Sequence, residues 1–305
     1  MQAGGHWFHP RGSLAREGCQ VVVDATLPEW TYTGLRVADL QGDRALELGA
    51  GEVERVVVPL AGSFMVEHTD GGRAGRVELE GRSSVFHGPT DVLYLGCGQA
   101  AWVRGEGRVA VAEAAARQPR PARHLRAGEV PVELRGTGSS SRQVHNFGIP
   151  GVLDADRIIA CEVLTPSGNT SSHPAHKHDQ SVDGRESRLE EIYYFEAAVA
   201  RGMPPPVRSE PYGMFATTSS PAGEIETRAL VRTGDVALVP FGYHGPAVAL
   251  PGYDLYYLNV MAGPDPVRAW LIQDDPDQAW VRDSWDGVPV DPRLPYRAPA
   301  AERRP

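Results

Sequence analysis

The chain has 305 residues, 41% of them hydrophobic and 23% charged, which is typical of a globular protein with one large or two ordinary domains. Its formal net charge of −9 argues against a nucleic-acid binder, because such proteins usually present a basic face. Lys177 is the only lysine in the sequence, and no Gly-Lys-Ser/Thr run is present that could cradle a phosphate. The charge does not exclude an anionic metabolite, since a few buried arginines can bind a carboxylate.

The sequence also predicts a cytoplasmic location. No apolar stretch is long enough to span a bilayer, and the first residues lack the apolar core of a signal peptide. Cys19, Cys97 and Cys161 are far apart and odd in number, which is not the pattern of a disulfide framework. We therefore expect reduced thiols, no membrane and no nucleic-acid partner.

Most of the chain consists of short apolar or alternating runs separated by Gly, Pro and Asp, a pattern that favours an all-β sandwich or barrel. A helix is predicted to start within Glu113–Gln118. Gln118–Pro121 is predicted to form a linker or a surface turn. From Pro289 onward the chain is rich in Pro and Arg, which predicts a tail that wraps the surface or frays. The predicted strands, in chain order, are Val53–Pro59, Ser63–His68, Asp91–Leu95, Ala100–Arg104, Arg108–Glu113, Arg157–Leu164, Glu191–Ala197, Met214–Thr218, Asp235–Pro240 and Leu255–Val260.

The two halves of the chain show a loose internal repeat. Each contains a strand pair, a gap, a Gly-led strand, a Pro-containing turn and another strand. The corresponding stretches are Glu54–Val66 with Gly81–Leu95, and Glu191–Met203 with Gly234–Val248. This order predicts two similar barrels that are joined near residues 119–140.

The triplet His176-Lys177-His178 is the sharpest chemical feature. In a strand, alternate side chains share a face, so both histidines would point to the same side. Two such imidazoles can hold one metal ion. By itself the triplet is equally compatible with a polar loop edge.

Two later elements strengthen this prediction. Glu191 opens an apolar strand, where an acid is unexpected unless it binds something, and the turn after a buried strand presents His244. Each alone could be a solvated acid or a core histidine. Together, His176, His178, Glu191 and His244 predict a metal site with room for water or substrate.

The order His-x-His, then Glu, then Gly-x5-Pro-x-Gly-x-His resembles the two cupin motifs. The gap from His178 to Glu191 is longer than usual, and the second motif is one residue shorter before His244. These departures and the surrounding residues resemble the 5-deoxy-glucuronate isomerases of inositol catabolism. The matching stretches are Ser141–Val144, Ile159–Val163, His176–Asp179, Leu189–Tyr194, Val239–His244, Pro251–Gly263, Gly81–Phe86 and Pro89–Asp91.

That resemblance implies two cupin-type barrels (double-stranded β-helix or jelly roll) in one all-β chain. The predicted domains are an N-terminal barrel without a metal site at residues 1–130, a C-terminal barrel with the metal site at 131–288, and a tail at 289–305. The sequence departs from the family pattern at three positions, where Asp, Asn and Tyr are expected and His87, His145 and His173 stand instead.

The resemblance also implies the reaction, an aldose–ketose isomerisation between 5-deoxy-D-glucuronate and 5-dehydro-2-deoxy-D-gluconate through an enediolate. One divalent metal would stabilise the developing negative charge as a Lewis acid. Zinc suits three imidazoles and a carboxylate, and Mn²⁺, Fe²⁺, Co²⁺ or Ni²⁺ also fits this ligand set.

The remaining roles are less constrained. Tyr193, Tyr243 and a metal-bound hydroxide are the candidates for the proton shuttle. Arg142, with Gln143 beside it, is the first candidate for binding the substrate carboxylate, although a surface arginine in a polar turn fits almost equally well. Tyr257 and Asn259 share one face of the last strand, either towards the pocket or as core and edge residues.

Alternative functions are the related isomerase of 4-deoxy-L-threo-5-hexosulose uronate, an iron cupin oxygenase and a non-catalytic sugar-binding cupin. The expected partner is a small anionic sugar acid. Because cupins often associate through exposed sheet edges, we also expect a homo-oligomer.

Overall fold

The computed structural model describes residues 6–297, and its regular structure is almost entirely β, which confirms the predicted fold class. No helix among these residues is long and apolar enough to cross a bilayer. The first half contains β1 (Phe8–His9), β2 (Val21–Val23), β3 (Thr33–Leu40), β4 (Leu46–Leu48), β5 (Val53–Asp70), β6 (Arg73–Arg82), β7 (Val92–Leu95), β8 (Ala101–Ala115) and β9 (Arg123–Leu125).

The second half continues the strand series. It contains β10 (Val132–Arg135), β11 (Arg142–His145), β12 (Ile159–Thr165), β13 (Thr170–Ser171), β14 (His176–Lys177), β15 (Glu190–Val199), β16 (Gly213–Thr218), β17 (Thr227–Val231), β18 (Val236–Val239), β19 (Tyr243–Ala249), β20 (Tyr253–Ala262) and β21 (Gln273–Asp274). Short 3-10 helices lie at Val85–His87, Ala127–Glu129, Gly138–Ser140 and Ala279–Trp285.

The predicted helix start at Glu113–Gln118 is wrong. Strand β8 continues to Ala115, because Glu113 and Ala114 pair with β3 on one side and β5 on the other. The high helix propensity of alanine is overridden by this two-sided pairing.

The strands form three antiparallel sheets. In the first half, the order β2-β3-β8-β5-β7-β9 carries β4 on β8 and β6 on β5. In the second half, one sheet has the order β1-β18-β15-β20-β12-β11-β10, and the other has β17-β16-β19-β14-β21, with β13 on β19. These paths are open, so each barrel-like half is formed by sheet segments that face one another across a core and not by a closed ring of strands.

Each half encloses its own core. In the second half the core lies between the two sheets, where Tyr193 and Phe195 of β15 pack against Phe215 of β16. In the first half the long strands β5 and β8 bend at register shifts, so that both ends of each strand contribute to one core. A third cluster joins the outer face of the first sheet to the seven-stranded sheet.

Two buried carboxylates cross the interface between the halves in opposite directions. Glu54, in β5, accepts the backbone N–H groups of Asp156, Arg157 and Ile158 at 2.5–2.9 Å. Glu190, at the start of β15, accepts those of residues 31–33 at 2.6–3.2 Å. Each half therefore caps a chain segment of the other, since one carboxyl group can accept several hydrogen bonds at once.

Both ends of the described chain also join the second half. Strand β1 pairs with β18, and the buried Tyr296 donates its backbone N–H to the Gln143 side chain. The tail therefore wraps the surface as far as residue 297, and residues 298–305 lie outside the described residues. That the halves behave as domains with the bounds given above stays a prediction.

Glu162 of β12 is the centre of a polar network inside the same interface. Both of its oxygens bind the guanidinium of Arg82 from the first half, while His145 and Tyr256 lie at 2.9 and 2.7 Å. Burial alone would raise the pKa of Glu162, but Arg82 and His145 lower it to about 2. The carboxylate is therefore ionised in the folded protein.

This ion pair predicts a pH-dependent stability. Because the folded pKa of Glu162 lies below its ordinary value of 4.5, the pair stabilises the protein above that pH, and the stabilisation is lost as the pH falls towards about 2. Arg82→Met should cost roughly 3 kcal/mol at pH 7, because it leaves a buried carboxylate without its partner. Urea unfolding at pH 7 and pH 3 measures both effects.

The matched control is Arg104→Met, since Arg104 pairs with Glu67 on the surface. Such exposed pairs contribute about 0–1 kcal/mol. Equal losses in the two variants would contradict the role given to Arg82.

Candidate metal centre and its pocket

The four predicted ligands come from neighbouring strands of the second half. His176 lies in β14 and pairs in register with His244 of β19, while His178 follows β14. Glu191 is the second residue of β15 and faces inward, and Glu190 faces the other half. The two neighbouring acids therefore face opposite sides of β15, as in any strand.

The histidine rings are oriented by the backbone. The Nδ1 atoms of His176, His178 and His244 lie 3.1–3.3 Å from the carbonyl oxygens of Pro174, Leu189 and Gly242. Each Nδ1 therefore donates to a carbonyl, and Nε2 is the atom left to bind a ligand. A metal-bound histidine typically makes this kind of outer contact.

Three of the four side chains converge closely. The ligand atoms of His178, Glu191 and His244 all lie within 4.8 Å of one another, with His178 Nε2 at 2.9 Å and His244 Nε2 at 3.2 Å from the same Glu191 oxygen. His176 lies at the cavity side of this group. Its ring centroid is 4.5 Å from that of His244 and 6.3 Å from that of His178.

The electrostatics fit a cation. Burial would raise the pKa of Glu191, but the hydrogen bond with His178 and the close approach of His244 lower it to about 2. Burial lowers the pKa of His178, but the contact with Glu191 outweighs burial and raises it. Burial, with the two neighbouring histidines, lowers the pKa of His176 well below 6.5, which favours the neutral imidazole that metals bind.

His244 provides the most direct test of whether a metal fits. Its Nε2 atom is buried and has no hydrogen-bond partner of acceptable geometry among the described residues. A buried polar atom without a partner is unfavourable, and it is common where a ligand or ion is bound. Imidazole nitrogens and a carboxylate oxygen also form the donor set of a first-row divalent metal.

A buried ionic cluster supports the turn that carries His244. The ammonium group of Lys177 binds Asp179 at 2.7 Å and Glu186 at 2.7 and 2.9 Å. Asp179 in turn accepts the backbone N–H of Gly242, whose carbonyl oxygen faces His244 Nδ1. Through Asp179, the one lysine of the sequence thus links the segment that carries His176 and His178 to the turn that carries His244.

The first half carries different residues at the corresponding positions. Glu54, the second residue of β5, caps a segment of the other half as Glu190 of β15 does, so Arg55 corresponds to Glu191 and the predicted repeat shifts by one residue. The guanidinium of Arg55 binds Glu113 at 2.8 Å and the carbonyl oxygens of Gly49 and Gln99. A fixed cation thus pairs with the buried Glu113 in this half, and the absence of a metal site here stays a prediction.

A cavity of about 490 Å³ opens beside the metal centre. His176, Glu191, Tyr193, Tyr257 and Asn259 line one side of it. The other side is lined by Arg135, Arg142, Trp270, Arg282 and Trp285, of which only Arg142 was predicted as a site residue. The strand order brings the first group together, whereas Trp270, Arg282 and Trp285 follow β20 in a segment whose fold the local pattern does not predict.

Of the three arginines that line this cavity, Arg142 is the one without a carboxylate partner among residues 6–297. Arg135 binds Glu133 and Arg282 binds Asp274, whereas Arg142 donates only to the carbonyl oxygen of Ser140. Burial, together with the charges of Arg135 and Arg282, lowers the pKa of Arg142 to about 10. A carboxylate in the cavity would relieve this unfavourable environment.

Two tyrosines and a serine form a hydroxyl cluster in the cavity wall. Ser172 Oγ lies 3.3 Å from the hydroxyl of Tyr193 and 3.1 Å from that of Tyr257. Ser172 has a φ of 46°, a conformation that is unfavourable for a residue with a side chain and that often marks a functional site. Burial is the largest cause that raises the pKa of Tyr193 well above 10 and that of Tyr257 to about 12.

Two other predicted site residues do not reach this cavity. Gln143 points to the opposite face of β11, where it binds His145 and the backbone of Tyr296. Tyr243 precedes His244 in β19 and faces the other way. The structure therefore gives Gln143 no substrate contact and Tyr243 no catalytic contact in this cavity, because neighbouring strand residues alternate in direction.

The fold and site are those of a two-part cupin-type protein with a histidine–carboxylate centre in its second part. The model of the KduI/IolB family matches residues 7–281, and the chain belongs to that family. An IolB-like protein of Salmonella typhimurium superimposes with a TM-score of 0.79 at 32% identity, over 91% of this chain and 99% of that one.

Curated relatives agree with this assignment. The 5-deoxy-glucuronate isomerase of Geobacillus kaustophilus is 37% identical over 90% of this chain and 95% of its own length. That of Shouchella clausii is 34% identical over 89% and 96%. The oxalate decarboxylase of Lactobacillus farciminis has a TM-score of 0.58 at 11% identity, over 90% of this chain and 85% of its own, which shows a shared fold alone.

Removal of a predicted ligand should abolish metal binding. For His178→Ala we expect zinc affinity to fall by more than the roughly 10–100-fold that loss of an outer contact costs. Titration calorimetry with Zn²⁺ measures the affinity, and circular dichroism checks the fold. His124→Ala, in the first half, is the control, and equal zinc binding by both variants would remove His178 from the centre.

Loss of the lysine ammonium should weaken the metal centre indirectly. Lys177→Met leaves Asp179 and Glu186 buried without their cation, so we expect zinc affinity to fall about 10-fold. Arg185→Met, at an exposed position in the same loop, should behave as the wild type. Unchanged affinity in Lys177→Met would contradict a positioning role for this cluster.

Proposed function

We propose that this chain is a 5-deoxy-glucuronate isomerase of inositol degradation, which converts the aldose acid into 5-dehydro-2-deoxy-D-gluconate. One observation carries the proposal beyond family membership. A buried arginine without a carboxylate partner, Arg142, lines the same cavity as Glu191 and His176. A substrate with a carbonyl at one end and a carboxylate at the other has the polarity of that cavity.

The proposed binding contacts follow from the groups that line the cavity. Arg142 offers a forked guanidinium to the carboxylate, the pairing that suits this side chain best. Tyr257 and Asn259 lie on the same strand face and can hydrogen-bond substrate hydroxyls. The aromatic walls exclude water from the reacting carbons, which strengthens these polar contacts.

The reaction takes a proton from the carbon next to the carbonyl and returns a proton one carbon over. Burial raises the pKa of Tyr193 well above its ordinary value, so this phenol keeps its proton at neutral pH. We assign Tyr193 the role of a hydrogen-bond donor to the substrate oxygen, supported by the nearby Ser172 and Tyr257 hydroxyls. This role as a donor differs from the role in proton transfer for which the sequence made Tyr193 a candidate.

The proposed cofactor is one divalent metal held by His176, His178, Glu191 and His244. When bound, such a metal supplies Lewis-acid stabilisation of negative charge on oxygen. Zinc is the first choice because three imidazoles and one carboxylate suit its tetrahedral preference. Mn²⁺, Fe²⁺, Co²⁺ and Ni²⁺ are the alternatives that metal analysis of the purified protein would distinguish.

The cellular setting is part of the same proposal. The three cysteines are free thiols, which suits a reducing cytoplasm. The edge strand β10 exposes Val132 and Leu134, and we propose that such an edge contributes to a homo-oligomer.

Turnover is the direct test. The protein should convert 5-deoxy-glucuronate without oxygen, lose activity when a chelator removes its metal, and regain it when a divalent metal is restored. NMR of the sugar acid follows the conversion, and 4-deoxy-L-threo-5-hexosulose uronate is the competing substrate. No conversion by the metal-loaded protein, or faster conversion of the competing uronate, would reject the proposal.

A second prediction addresses the carboxylate. For Arg142→Lys we expect kcat/KM to fall at least 10-fold, because a charge-assisted bidentate contact is lost. Steady-state kinetics measure the loss, and Arg228→Met, on the exposed face of β17, is the control. Wild-type kinetics in Arg142→Lys would place the substrate carboxylate elsewhere.

A further inference from the structure

Two tryptophans that line the cavity each have an arginine guanidinium over the indole ring. The guanidinium of Arg135 lies 5.2 Å from the ring of Trp270, and that of Arg142 lies 5.6 Å from the ring of Trp285. All four side chains line the one cavity. Stacking of this kind fixes the plane of each indole and therefore the direction of its N–H group.

Both indole nitrogens lack a hydrogen-bond partner. Nε1 of Trp270 and Nε1 of Trp285 are buried, and neither has an acceptor among the described residues. A buried tryptophan N–H normally finds a partner, because leaving it unpaired is unfavourable. Because both side chains line the same cavity, a ligand that binds there is the candidate source of the missing acceptors.

The neighbouring charges indicate what each donor meets. Trp285 contacts both Arg142 at 5.6 Å and Arg282 at 5.4 Å. Arg282 is paired with Asp274, whereas Arg142 has no carboxylate partner among the described residues, so an anion bound to Arg142 would lie close to this indole. Trp270 stacks on Arg135, which is already neutralised by Glu133 at 2.8 Å. A neutral oxygen is therefore the better match for Trp270.

We propose that the C-terminal segment determines which acids this site accepts: the Trp285 N–H shares the substrate carboxylate with Arg142, and the Trp270 N–H donates to a hydroxyl of the same sugar acid. The assignment rests on the proposed function only in taking a sugar acid as the ligand. It makes Trp270 and Trp285 specificity-determining residues, and it separates hydroxylated acids from plain aliphatic ones.

Binding of two simple probes tests the two roles. D-Glucuronate carries the carboxylate and the hydroxyls, and hexanoate carries the carboxylate alone. For Trp270→Phe we expect glucuronate to bind about tenfold more weakly, the effect of one lost hydrogen bond, with hexanoate binding unchanged. For Trp285→Phe we expect both probes to bind about tenfold more weakly.

The controls separate a lost donor from a loosened pocket. Trp280→Phe alters an exposed tryptophan of the same segment that does not line the cavity, and it should bind both probes as the wild type does. At position 285, a 3-benzothienylalanine residue keeps the ring and replaces N–H by sulfur, so it should reproduce the loss seen with Trp285→Phe. Titration calorimetry on the metal-loaded protein gives the affinities.

Several outcomes would overturn the inference. Wild-type glucuronate affinity in either cavity variant would do so, as would equal weakening of both probes by Trp270→Phe, full affinity with the sulfur analogue, or no glucuronate binding by the wild type. Turnover enters none of these measurements. A wild type that binds glucuronate but leaves 5-deoxy-glucuronate unconverted would reject the proposed function and leave the roles of the two indoles intact.

Discussion

The carboxylate of Glu191 is the constraint around which the second half is arranged. An ionised acid that is almost fully buried needs positive charge or several donors close by, and here two imidazoles approach one of its oxygens. Those imidazoles can do so only because backbone carbonyls fix their far nitrogens and the Lys177 cluster fixes the turn that carries His244. The local fold thus builds a cation site before any cation arrives.

The first half meets a similar requirement with a positively charged side chain of its own. There an arginine takes the position of Glu191, and the buried acid, Glu113, lies on the neighbouring strand. The same sheet geometry therefore places a fixed internal cation beside the buried acid in one half and two imidazoles beside it in the other. In the second half, a cavity of about 490 Å³ lined by polar and aromatic groups opens next to Glu191.

Sequence reasoning succeeded where a feature is local. Strands such as β12, β15 and β20 follow from alternating or continuous apolar runs, and the convergence of His178, Glu191 and His244 follows from motif order. It did not reveal which way Gln143 and Tyr243 face, and each lies next to a residue that faces the cavity or the metal centre. Strand alternation allows only one residue of such a pair to point inward.

Other parts of the site could not be predicted in this way. Trp270 and Trp285 reach the cavity from a segment with little regular structure, so their positions depend on long-range packing that no periodicity encodes. The helix expected near residue 113 failed for the same reason, since pairing with two distant strands decided the conformation. Local patterns determine which side chains of a strand share a face, whereas tertiary contacts determine which residues pack against that face.

The reciprocal caps at Glu54 and Glu190 have a consequence for how such a molecule can arise. Among the described residues, each acid finds its backbone donors only in the opposite half, so a polypeptide with a single half would expose its acid to water and leave those contacts unmade. A second copy of that polypeptide, docked face to face, would satisfy both acids at once. A gene fusion would then link two subunits that already depended on each other. One of the two halves could afterwards lose its site while it kept its structural role.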